Sequence, residues 1–212
     1  MDWPFFDLRV TCGRVVLRAV TDADLALLLS IYPPDAEQDP GARPLAGLDE
    51  ARDRDRLFVQ GVWANRGAWS PDSWCLDLAV EIDDVVVGLQ SLEGDTFPVL
   101  RTVDTGSWLA RAARGHGTAT EMRTAALALG FGPLGAVAAV SSARIDNAPS
   151  LAVSRRLGYA ENGNSLTNSP TGVVQLQHLH LTRERWLADE HRVEISGADA
   201  CLPWFGLGPR EG

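Results

Sequence analysis

The chain has 212 residues and a formal net charge of −9, with 45% hydrophobic and 22% charged residues. That size and balance describe one globular domain with tails, long enough to bury a large core. The acidic charge disfavours a nucleic-acid surface and suits cationic or amine partners, and no apolar run approaches the ~20 residues of a membrane span.

All 19 basic residues are arginine. Any phosphate or carboxylate must therefore be held by guanidinium forks, backbone N–H groups or both. Cys12, Cys75 and Cys201 are odd in number and lack metal-ligand spacing, so they read as reduced thiols of a cytoplasmic protein. The start, Met1-Asp2-Trp3-Pro4, has no basic or apolar leader pattern.

In chain order, residues 1–13, with Trp3, Phe5 and Phe6, read as an N-terminal arm packed on a domain spanning 14–186. Arg14–Arg18 reads as the first strand. Thr21-Asp22-Ala23-Asp24 is a capping signal that opens the helix Leu25–Ile31, which Pro33-Pro34 stops. Residues 33–48 are rich in Pro, Gly and Asp and read as a loop. Leu48–Asn65 has a helical pattern, with the run Arg52–Arg56 on its solvated face. Leu76, Leu78, Val80 and Ile82 alternate with polar residues, and Asp83-Asp84 turns the chain into Val85–Gln90, a hairpin. Glu93-Gly94-Asp95 and Phe97-Pro98 read as a connection.

Strand 103–109 follows, and then Arg114-Gly115-His116-Gly117-Thr118-Ala119 runs into a helix. Met122, Ala125, Ala126 and Leu129 recur at i, i+3, i+4 and i+7, one helical face. Glycines between a strand and a helix let a ligand approach the backbone where unpaired N–H groups and the dipole favour an anion. A strand at Ala136–Ser142 precedes a short helix capped by Asp146 or Asn147 and closed by Gly158. Tyr159 begins a strand, 161–172 reads as a flexible loop, Val173–Leu181 as the final strand, and Arg183–Arg192 as a helix. The extension 187–212 is apolar enough to pack on the body or on a second copy as a homodimer.

Three of these segments together resemble the GNAT superfamily of N-acetyltransferases. Arg114, Gly117 and Ala119 match its R/Q-x-x-G-x-G/A acyl-CoA loop, and Asn147 to Tyr159 matches its N-x-x-[AS]…[KR]-L-G-[FY] segment. Val103-Asp104-Thr105-Gly106-Ser107-Trp108-Leu109 is similar to the E-I-G-Y-W-L strand of the RimJ/RimL-like branch. The resemblance covers roughly residues 14–186. It implies an α+β, three-layer fold with a mixed, mostly antiparallel sheet, splayed at the acyl-CoA site and flanked by helices.

The resemblance also implies an acyl-CoA co-substrate, no metal, and direct transfer to an amine. Acetyl-CoA is the default donor, and succinyl-CoA is a variant because arginines are available to pair its carboxylate. The acceptor stays open among a protein N-terminus, a lysine and a small molecule. The loop Arg114, Gly115, His116, Gly117, Thr118 and Ala119 would cradle the pyrophosphate, with Arg111, Arg114 and Arg155 as phosphate contacts. A backbone N–H of Trp108, Leu109 or Ala110 would polarise the thioester carbonyl, and Asn147 and Ser150 would reach the pantetheine arm and thiol. Asp104 is the first candidate for the general base and Glu81 the second. Ser154 stands where many members carry a tyrosine acid, so Ser150 or water would protonate the thiolate. Glu121 reads as a structural carboxylate at the helix start. His178 and His180 read as exposed-face strand residues rather than ligands. A non-catalytic acyl-CoA-binding or regulatory module is the alternative.

Overall fold

The computed structural model describes residues 3–36, 43, 45–169 and 172–208. Among them, nine strands form one sheet: β1 (Arg9–Cys12), β2 (Val15–Ala19), β3 (Ser73–Ile82), β4 (Val85–Asp95), β5 (Thr102–Leu109), β6 (Ala138–Arg144), β7 (Ala160–Ser169), β8 (Gly172–Thr182) and β9 (Val193–Ser196). The spatial order is β7-β8-β6-β5-β4-β3-β2-β1-β9. Every neighbouring pair is antiparallel except β5 with β6. The helices are α1 (Leu25–Ile31), α2 (Glu50–Gly67), α3 (Phe97–Leu100), α4 (Thr118–Phe131), α5 (Ala148–Arg156), α6 (Arg183–Leu187) and α7 (Ala198–Cys201).

The two sheet faces carry separate apolar layers. Met122, Ala125, Ala126 and Leu129 of α4 are buried in the larger one with Leu17, Leu78, Val80, Leu92 and Val103, as the helical spacing requires. On the opposite face, α1 and α2 bury Leu25, Leu28 and Val62 against Ala79 and Leu89, with Phe58 and Trp108 at the margin. Asp49 caps α2, accepting the Arg52 N–H at 2.9 Å. The charged run on α2 is not uniformly solvated: Asp53 is buried and pairs with Arg56 at 2.8 Å.

Several boundaries differ from the sequence reading, mostly where strand pairing overrides local composition. Arg9–Cys12 of the expected arm is a strand, paired with β2 and with β9 from the C-terminal extension. Glu93-Gly94-Asp95 belongs to β4 instead of a connection. The polar 161–172 segment, read as a loop, is largely β7, whose backbone is held by the β8 ladder; its residues 170–171 lie outside the described residues, as do 37–42 and 44 of the expected 33–48 loop. The helix expected over Arg183–Arg192 ends at Leu187.

The two chain ends meet in an aromatic cluster. The Phe5 ring lies 4.6 Å from Trp69, 4.8 Å from Trp3 and 5.3 Å from Phe205, and Trp69 donates its indole N–H to the Trp204 carbonyl at 2.9 Å. Gly197 permits the contact. A Cβ there would sit 2.5 Å from the Asp7 carbonyl oxygen, and its φ of +76° suits glycine.

Candidate active site

β5 and β6 pair only at Thr102/Ala138, Val103/Ala139 and Asp104/Val140. Beyond that point β5 follows β4 to the pair Leu109/Gly88, and β6 follows β8 to Arg144/Leu176. The two strands therefore open a wedge between residues 105–109 and 141–144. Ala110 donates its N–H to the Val87 carbonyl at 2.8 Å. Antiparallel alternation then commits the Trp108 N–H to β4 as well, and turns the Leu109 N–H into the wedge. Of the three candidate donors, Leu109 alone is placed to polarise a carbonyl held there.

The glycine loop joins the wedge to α4. Gly115 and Gly117 have φ values of +83° and +86°, and a Cβ on either would meet nothing within 4 Å. No side chain caps α4 at Gly117, and the buried Thr118 hydroxyl has no partner. This is an uncapped, open helix N-terminus of the kind that receives an anion. Ala119 continues the helix half-buried, while His116 is exposed at the loop tip. A Gly117→Val variant should lose about 1–3 kcal/mol of stability from its strained φ. It should also bind CoA at least about tenfold more weakly, because the side chain enters the open approach; calorimetric titration of the folded variant measures this.

The candidate phosphate arginines are engaged within the fold. Arg114 donates through Nε to the Leu109 carbonyl at 3.0 Å and through Nη1 to Asp35 at 2.8 Å. Arg111 lies 3.8 Å from the same Asp35, whose carboxyl is held below its ordinary value by the Arg114 hydrogen bond. Arg155 pairs with Glu161 at 3.0 Å. Asn147 acts as the α5 cap, accepting the Ser150 N–H at 3.2 Å. The Glu121 carboxylate lies against the β1–β2 turn at Gly13, which suits its structural reading.

On the α2 face, register gathers carboxylates that are far apart in sequence. Cys75, Glu93 and Asp104 form one cross-strand row, and Asp77, Ser91 and Gly106 the next. The first row borders a cavity of about 500 Å³ between the end of α2 and strands β3 to β6. Its described lining includes Glu93, Asp95, Asp104 and Asn65 and no Arg, Lys or His. Burial pushes the Asp104 carboxyl up to about 6, with the Thr105 N–H and the Arg123 charge opposing and the Glu93 charge adding. Asp77 is likewise pushed up to about 6 by burial, against a 2.9 Å hydrogen bond from Asn65.

Glu81, the second candidate base, is not part of this arrangement. It accepts from Arg18 at 2.7 Å, and Arg18 also holds Asp24 at 2.7 Å. From Cys75 it is six residues along β3, roughly 20 Å at strand spacing. Ser154 is fully buried, accepts from Arg123 and donates to the Ser150 carbonyl, so its hydroxyl is committed. His178 bonds Ser142 and Ser165 through its two ring nitrogens at 2.8 Å each, bridging strands on an exposed face. Among the described residues no group of three or more His, Cys, Asp or Glu has metal-binding geometry.

The chain matches the family described as "Acetyltransferase (GNAT) domain" over residues 14–160. It belongs to the GNAT acetyltransferase family. Solved structures of similar fold include Mycobacterium smegmatis RimJ in complex with CoA-disulfide, 22% identical with a TM-score of 0.70 over 96% of this chain and 97% of that one. A GNAT-family acetyltransferase from Bacillus anthracis is 17% identical, TM-score 0.63, covering 83% of this chain and 99% of that one. Mutant forms of the spermidine/spermine N-acetyltransferase SpeG from Vibrio cholerae are 14% identical, TM-score 0.61, covering 82% and 97%.

The wedge and the glycine loop thus lie within the matched GNAT segment, and acyl-CoA is the co-substrate of that family's chemistry. Glu93, Asp77 and Asn65 went unnoticed in the sequence reading. Asp77 alternates as though solvent-facing, and only the packing of α2 buries it. Arg123, in the middle of an apolar helical face, is the one residue whose local pattern could have marked it.

Proposed function

We propose that this GNAT protein transfers an acyl group from acyl-CoA to a cationic primary amine, by direct attack in a ternary complex. The observation that carries this reading is the acidic cavity, without a basic side chain in its described lining, reaching Asp104 where β5 and β6 part. A protonated amine gathers among Glu93, Asp95 and Asp104. Asp104, whose carboxyl burial pushes up to about 6, takes one proton through water. The freed lone pair attacks the thioester carbon of an acyl group held where β5 and β6 part. The C–N bond forms, the C–S bond breaks, and the thiolate takes a proton from the Ser150 hydroxyl or from water.

Direct transfer also agrees with the cysteines. Burial raises the Cys12 and Cys75 thiols and pushes Cys201 up to about 12, and a protonated thiol is a weak nucleophile. With no lysine in the chain, excess acyl-CoA should leave the intact mass of the untagged protein unchanged. A hydroxylamine-labile adduct on any of the three cysteines would replace direct transfer with a covalent route.

A thiol-release assay with acetyl-CoA and succinyl-CoA against cationic and neutral amines tests the whole reading. Turnover is expected with amines carrying a second positive charge, well above that with neutral-bodied amines of equal size. CoA binding without thiol release across the panel would assign the protein the non-catalytic role instead.

A further inference from the structure

Arg123 of α4 is 5% exposed and pairs with no carboxylate within 4.0 Å among the described residues. Its Nη1 donates to Ser154 Oγ at 2.8 Å, and its Nη2 reaches Ser107 Oγ only at 3.5 Å. Its Nε is buried without a partner. A buried guanidinium with no carboxylate in contact is costly, and the Asp104 charge acts on it only through space. The contrast with Arg18 is direct, since that half-buried side chain holds two carboxylates at 2.7 Å.

The position of Arg123 is as telling as its lack of a counter-ion. Ser107 lies on β5 beyond the last β5–β6 pair, and Ser154 lies on α5, which follows β6. The guanidinium therefore spans the two sides of the wedge on its α4 face. Two further buried groups belong to the same cluster: the hydroxyls of Thr105 on β5 and of Tyr159 after α5, which face each other, with the Tyr159 hydroxyl near the Arg123 charge. A buried cation with no carboxylate in contact, flanked by two hydroxyls beside the point where β5 and β6 part, is the complement of a carboxylate.

We propose that Arg123, with the Thr105 and Tyr159 hydroxyls, binds the terminal carboxylate of a dicarboxylic acyl group, so that the preferred donor is a succinyl-type acyl-CoA rather than acetyl-CoA. This rests on the reading of the wedge as the acyl-CoA site. The reaction is unchanged: the amide C–N bond forms as the C–S bond breaks, and the distal carboxylate passes through intact. An acetyl group ends in a methyl and leaves the guanidinium unpaired. A site built to pair a substrate's polar group discriminates strongly against the analogue that lacks it.

The experiment compares kcat/KM for acetyl-, succinyl- and glutaryl-CoA with the full-length protein and Arg123→Met, using the best amine of the panel. Wild type is expected to prefer one of the dicarboxylic donors by about 10²-fold or more, and Arg123→Met to collapse that ratio to near unity. A purely structural role would lower all three donors equally and keep the ratio. Should Arg123→Met fail to fold, Thr105→Val and the wild-type donor ratio decide the matter. A wild-type preference for acetyl-CoA, or equal rates with all donors, overturns the proposal while leaving the acyltransferase reading intact. Absence of CoA binding in calorimetry overturns both.

Discussion

Replacing Asp104 with Asn should lower turnover by about 10²–10⁴-fold, the range typical of a lost general base, and make the protein more stable at the same time. CoA affinity should barely change, because the glycine loop and the Leu109 N–H are untouched. The stability gain follows from the position of the carboxyl. In the folded protein it titrates near 6, raised from 3.8 mainly by burial. The folded state therefore holds its proton to higher pH than the unfolded chain. Ionising the group costs stability as pH rises through roughly 4 to 6, and that cost persists above the window. Asn carries no charge to desolvate, so Asp104→Asn should gain roughly 1–3 kcal/mol at pH 7. The same pKa predicts a wild-type kcat/KM that climbs with pH through about 6 and flattens above. Steady-state kinetics and denaturant melts on one preparation measure all three effects. Normal turnover in the Asn variant would assign proton removal to water held by Glu93 or Asp77, since Glu81 is bound to Arg18.

Phe5→Ala should destabilise the protein by about 3–5 kcal/mol, the usual cost of emptying a buried aromatic site. That is a large share of the 5–15 kcal/mol that holds a typical domain together. Phe5 is fully buried and touches Trp3, Trp69, Trp204 and Phe205, so its ring joins the N-terminal segment, the β3 approach and the C-terminal turn. The loss should appear as a lower denaturation midpoint with an undiminished slope, showing that both ends unfold with the body. Phe6, on the exposed side of the same turn, serves as the control, and its alanine variant should shift stability by less than about 1 kcal/mol. Equal melts for the two variants would make the termini an appendage.

Much of this molecule is determined by local sequence. The α4 face carrying Met122, Ala125, Ala126 and Leu129 follows from its 3.6-residue spacing. Asp49 before α2, Asn147 before α5 and the positive-φ glycines of the loop each answer a need that arises within a few residues, of unpaired N–H groups or of backbone torsion. The glycine loop and the strand beside the wedge were legible for that reason. The acidic cavity was not. Glu93 looks like part of a turn and Asp77 like the wet side of a half-buried strand. Register across β3, β4 and β5 sets Glu93 opposite Asp104 and Asp77 one row further on, and α2 closes over them. The same physics sets Glu81 apart from the cavity, because antiparallel pairing with β2 delivers Arg18 to its carboxylate. Pairing partners also decided the chain ends, where a four-residue strand from each terminus completes the sheet edge. Periodicity and caps are properties of neighbours in sequence. Carboxylate rows, the buried Arg123 and the aromatic cluster depend on contacts between distant segments, and only the folded chain supplies them.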